Sequence, residues 1–83
     1  MNVANKMSNI DNFSRVFFKI YDKYVTHGDI TYSELKIPKI EFTNICMNAD
    51  YVFSDEIIIR FCENCKLEGE ELESMMSFVK GGK

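Results

Sequence analysis

TYSELKIPKIEFTNIC, residues 31–46, reads as two short helices joined at a proline. Thr31 and Glu34 have the spacing of a capping box: the threonine hydroxyl accepts from the amide three residues on, and the glutamate reaches back to the cap's own amide. Ile30 and Leu35 flank this start at the positions of a hydrophobic staple. Pro38 has no amide hydrogen and disfavours a helical Ile37, so the first helix stops near Lys36. Proline is welcome in a helix's first turn, so Pro38 opens the next one. That second helix carries Phe42, Ile45, Cys46 and Ala49 on one face, its expected core side.

Working outward, Phe13, Val16, Phe17, Ile20, Tyr21 and Tyr24 recur at helical spacing. They predict an amphipathic helix over about residues 11–26, capped by Asn9 or Asp11. His27 falls in its last turn, where an imidazolium complements the helix dipole, and Gly28 ends it. On the other side, Asn48–Phe53 reads as a loop. Ser54 is the expected cap of a helix with Asp55 and Glu56 in its first turn and Ile57, Ile58, Phe61, Cys62 and Cys65 on its core face. Gly69 separates it from a last helix of about ten residues, where Leu72, Met75, Met76 and Val79 repeat at i, i+3, i+4, i+7. The pattern gives about five short helices, no strand and no internal repeat. It predicts one all-α domain over residues 1–83, a compact helix-turn-helix-like bundle with 1–9 and 80–83 as flexible ends.

Composition agrees. Eighty-three residues make one domain with a modest core. Apolar content of 46% excludes a disordered chain, and one Pro with four Gly argues against a turn-rich β fold. Net charge is −3 and uneven: residues 1–40 hold six Lys/Arg against four Asp/Glu, residues 41–83 four against nine. That acidity counts against a nucleic-acid binder, which shows a basic face. The sequence has no signal peptide and no apolar run long enough to span a bilayer. Three cysteines without a secretory leader read as reduced thiols of a cytoplasmic protein.

Ile30–Leu35, ITYSEL, resembles the start of the second helix of lambda-repressor-like, or Cro/C1-type, helix-turn-helix domains. The spacing of Ile37, Phe42 and Ile45 is similar to the apolar positions of that family's recognition helix. Phe53–Leu72, FSDEIIIRFCENCKLEGEEL, resembles its fourth helix and the acidic start of its fifth. The likeness covers about residues 11–79. Two departures stand out. The connection Lys36–Ile37–Pro38 is about a helical turn shorter than the family's, and it lacks the usual small residue. The resemblance implies a small phage or mobile-element protein, either a dimeric DNA-binding repressor or a regulator that binds host machinery, inhibitors of CRISPR effectors included.

The outward face of the Pro38 helix separates these readings. At 3.6 residues per turn, Ile40, Asn44 and Met47 fall opposite the Phe42/Ile45/Cys46 side, with Lys39 and Thr43 at its edge. Asn44 is an amide of the kind that pairs with adenine, and Lys36 and Lys39 are placed to reach phosphates. Ile40 and Met47 suit a protein contact or a homodimer seam instead. Lys36, Lys39, Ile40, Thr43, Asn44 and Met47 are therefore the expected partner-binding residues. The partner is a host protein first and DNA second, with no membrane and no small-molecule substrate.

Other motifs are expected to be structural. Cys62-Glu-Asn-Cys65, with Cys46 and His27, makes the inventory of a zinc site. Both motif cysteines share an apolar helix face, however, where a thiol behaves as a small hydrophobe. No metal and no cofactor are expected. Glu63, Glu68, Glu70, Glu71 and Glu73 read first as a solvated face, and second as a phosphate mimic for a basic partner. A lone histidine, with no serine elbow and no phosphate loop, assembles no catalytic constellation, so no enzyme is expected.

Overall fold

The first helix, α1 (Phe13–Tyr21), is capped by Asn12, whose side-chain oxygen accepts from the Arg15 amide at 3.2 Å. The computed structural model describes residues 12–80. The expected caps Asn9 and Asp11 lie outside those residues, as do the ends 1–9 and 81–83. Along α1, Phe13, Phe17 and Ile20 are buried and Val16 and Tyr21 half-buried, the stripe that the spacing predicts. Helical structure does reach residue 26, but Asp22–Thr26 widens into a π turn closed by the His27 amide on the Asp22 carbonyl at 2.8 Å. Gly28 has a steric reason to be glycine, because a Cβ there would collide with the Tyr24 carbonyl.

Four further helices follow: α2 (Tyr32–Leu35), α3 (Lys39–Met47), α4 (Asp55–Cys65) and α5 (Gly69–Met76). Among the described residues there is no strand. The capping box at Thr31 is formed, with Glu34 Oε1 accepting from the Thr31 amide at 2.9 Å. Leu35, its staple partner, is wholly buried and Ile30 half-buried. Helix α2 stops where Pro38 requires. Ser54 sits at the cap position of α4, although its hydroxyl makes no capping bond; its carbonyl accepts from Ile58 instead.

One corner is built twice, thirty positions apart. Lys36 ends α2 in the left-handed region (φ 62°), and Lys66 ends α4 the same way (φ 55°). Each is followed by a buried apolar residue, Ile37 or Leu67, then a cap, Pro38 or Glu68, and a new helix. At the second corner the Lys66 amide reaches the Glu63 carbonyl and the Leu67 amide the Cys62 carbonyl, both at 3.1 Å, the paired bonds of a Schellman turn. The third residue of each following helix is a glutamate that accepts from a tyrosine: Glu41 from Tyr51, Glu71 from Tyr24 at 2.6 Å. The two corners touch, since Asn64 Nδ2 donates to the Leu35 carbonyl at 3.0 Å. The likeness is one of backbone conformation, since only the lysines and glutamates recur as identities.

Phe17 is the hub of the core. Its ring lies 4.9 Å from Phe61, 5.0 Å from Phe18, 5.1 Å from Phe53, 5.6 Å from Tyr21, 6.0 Å from Phe13 and 6.2 Å from Phe42, which ties α1 to α3, α4 and the loop between them. Ile57, Ile58, Phe61, Cys62 and Cys65 are all buried, as the α4 pattern predicts. Helix α5 fits its pattern less well. Met75 is buried, Leu72 and Val79 half-buried, and Met76 exposed. Lys80, expected in the flexible end, has its amide held by Asp55 Oδ1 at 2.9 Å.

Candidate functional site

Helix α3 is turned about its axis relative to the expected face. Ile45 is buried and Phe42 half-buried, as expected, but Cys46 and Ala49 are exposed. Glu41 and Asn44 occupy the inner flank in their place. At 100° per residue this amounts to a rotation of roughly 70°. Tyr51 supplies the reason. Its hydroxyl donates to Glu41 Oε1 and lies within reach of the Asn44 side chain. The carboxylate beside it is the main cause of the upward shift of that phenol. Two polar residues are thus drawn toward the loop, and Cys46 is rotated out.

Of the predicted partner-binding residues, Lys39, Ile40, Thr43 and Met47 lie together on the exposed arc of α3, with Lys36 exposed at the preceding corner. Asn44 does not join them. It is half-buried beside Tyr51, a correction to its predicted outward position. Ile40 is 64% exposed and Met47 81%, the two most exposed large apolar side chains among the described residues. Two positions that the pattern misses complete the surface: Cys46, and Asp50 in the turn after α3, where its amide is held by Asn48 Oδ1 at 2.9 Å. Periodicity assigned Cys46 to the core because it is apolar, and only the Tyr51 contact reverses that.

The remaining polar groups are engaged in holding helices. Glu71 accepts from Lys23 Nζ at 2.8 Å and from the Tyr24 hydroxyl, fastening the π turn to α5. These two bonds, the lysine first, hold its carboxyl below the usual value. Burial pushes the Cys62 and Cys65 thiols up to about 11, so both are protonated at neutral pH. Among the described residues, no three His, Cys, Asp or Glu side chains gather as metal ligands do. Nor is any helix there long and apolar enough to cross a membrane. An open cleft where the corners meet is lined by Lys36 and Lys66 but also by Asp29 and Glu34, and another beside α1 and α5 mixes Arg15, Lys19 and Lys23 with Glu70 and Glu71. Neither has a charge preference. No family model, curated protein or solved structure matches the chain.

Proposed function

We propose that this chain is a non-enzymatic binding module, a small regulator or inhibitor of phage type that docks on a host protein in the cytoplasm through the outer arc of α3, without a cofactor. The observation that carries this reading is the exposure of Ile40 and Met47, seven residues apart on one helical face. Residues at i and i+7 are the anchors by which a helix enters an apolar groove on a partner. Thr43 lies between them and lets the partner approach closely. The helix-turn-helix resemblance points to host machinery as the partner class, CRISPR effectors included.

DNA is the second reading, supported by Lys36 and Lys39 at the start of α3. A base-reading helix needs an amide or guanidinium aimed at base edges. Asn44 is turned toward Tyr51, which leaves the two lysines with phosphate contacts that carry no sequence information.

Met47→Glu decides the protein reading. Immobilised wild-type chain should retain a host protein that the variant does not, with both equally helical by circular dichroism. Retention by the variant would remove this face from the account. A gel-shift complex that weakens steeply with salt and disappears in the Lys36→Ala/Lys39→Ala double variant would move the assignment to DNA.

A further inference from the structure

The exposed charges on the outer side of α3, Lys36 and Lys39 before and at its start and Asp50 beyond its end, are of the sign its dipole disfavours. A helix N-terminus is electropositive and a C-terminus electronegative. Lys39 is the first residue of α3, Lys36 lies just before it, and the acidic Asp50 follows three residues after its last residue. Among the described residues none of these three makes an ion pair. Pro38, at the cap, offers no side-chain acceptor to the first amides. Glu41, in the first turn, is the one carboxylate of favourable sign and is bonded to Tyr51 on the inner flank, so Lys36 and Lys39 on the outer side and Asp50 at the far end stay without a partner of opposite charge among the described residues.

An antiparallel second copy supplies both sets of exposed charges with partners at once. It brings the electronegative end of its α3 and its Asp50 beside Lys36 and Lys39, and its lysines beside this chain's Asp50. The apolar pattern has the same symmetry. Ile40 and Met47 stand at equal distances from the midpoint between Thr43 and Asn44. A two-fold axis there sets Ile40 of each copy against Met47 of the other, and Lys39 against Asn48 next to Asp50. Thr43, small and exposed, lies near the axis, where two helices must come within 8–10 Å of each other. A surface that complements itself under a two-fold is what an isologous dimer requires.

We infer that the outer arc of α3 is occupied by a second copy of this chain in an antiparallel α3–α3 dimer. The inference rests on the reading of this arc as a protein-binding face and names its resident partner. Nine residues of α3 span only about 14 Å, so the contact is small and the dimer exchanges readily. The copy thereby shields Ile40 and Met47, and any other protein that binds there competes with dimerisation.

Sedimentation equilibrium of the full chain from about 10 μM to about 1 mM tests this, a range set by the affinity of small interfaces. Wild type should show a reversible monomer–dimer equilibrium, and Met47→Glu should remain monomeric across the range. Lys39→Glu and Asp50→Lys should each weaken association by about tenfold, since symmetry counts each change twice. Their combination exchanges the charges and should restore association to within about twofold of wild type. A parallel pairing or a different seam gains nothing from that exchange. A monomeric wild type overturns the inference, as does a dimer indifferent to Met47→Glu or an exchange variant as weak as its parents. A wild-type monomer that still captures a host protein in a Met47-dependent way would overturn the dimer alone and leave the binding-module reading standing.

Discussion

Phe17→Ala removes a ring with no exposed surface and six aromatic neighbours at centroid distances of 4.9–6.2 Å. Phe→Ala in a core costs about 3–5 kcal/mol, from lost transfer energy and the cavity left behind. The neighbours of Phe17 come from α1, α3, α4 and the loop before α4, so no single element can shift to fill the space. Aromatic pairs also add about 0.5–1.5 kcal/mol each beyond burial. The loss should fall at the top of the range, about 4–5 kcal/mol. A domain of this length has roughly 4–12 kcal/mol in total. At about 4–8 °C per kcal/mol, Tm should fall by at least ~16 °C. Phe18→Ala is the control. Phe18 is only half-buried and meets Phe17, Tyr21 and Phe42 edge-to-face at the margin of the core, so its loss should cost about 1–2 kcal/mol. Thermal unfolding by circular dichroism, with urea titration to check the slope, measures both. A Phe17→Ala loss below ~8 °C, or no larger than that of Phe18→Ala, would refute Phe17 as the point that joins these elements.

Two further outcomes follow from the titrating groups. The Glu71 carboxyl is held below its ordinary value of 4.5 in the folded chain, first by Lys23 and then by Tyr24; its stabilising contribution is present above pH 4.5 and lost as pH falls through the lowered value, so Glu71→Gln should flatten the acid limb of a stability–pH curve. A curve with an unchanged acid limb would show that this link does not fasten the π turn to α5. Thiol labelling of the native chain at pH 8 should modify Cys46 rapidly and leave Cys62 and Cys65 protected until unfolding, because burial holds those two near 11; three equally fast thiols would contradict the packing of α4.

The parts of this fold that were legible in the sequence are those decided within one or two helical turns. Phe13, Phe17 and Ile20 define α1, Thr31 with Glu34 defines the start of α2, and Ile57 through Cys65 define the buried side of α4. The site was partly legible for the same reason, since the outward positions of Lys39, Ile40, Thr43 and Met47 follow from helical period alone. Asn44 and Cys46 exchanged roles because of Tyr51, ten residues from Glu41 and on a loop, a contact with no local signature. The break at each corner was legible from Pro38 and Gly69, but its left-handed turn was not, because such helix ends are ordinarily marked by glycine or asparagine, and here both are lysines. The π turn shares its apolar spacing with an α-helix over so short a run, so Asp22–Thr26 gave no sign of widening.

The bond between Asn64 and the Leu35 carbonyl has a bearing on the order in which this molecule assembles. A four-residue helix cannot persist alone, because nucleating one turn costs more than its few bonds return. Helix α2 is held by Glu34 at one end and, at the other, by a side chain that arrives at its station only when the last turn of α4 has formed. Its ordering is therefore a late event, slaved to a segment nearly thirty residues downstream. In the native state the amides of α2 should exchange with solvent through brief local openings, well before those of α4. The stretch of chain that leads into the outer arc of α3 thus takes part of its shape from a neighbouring helix.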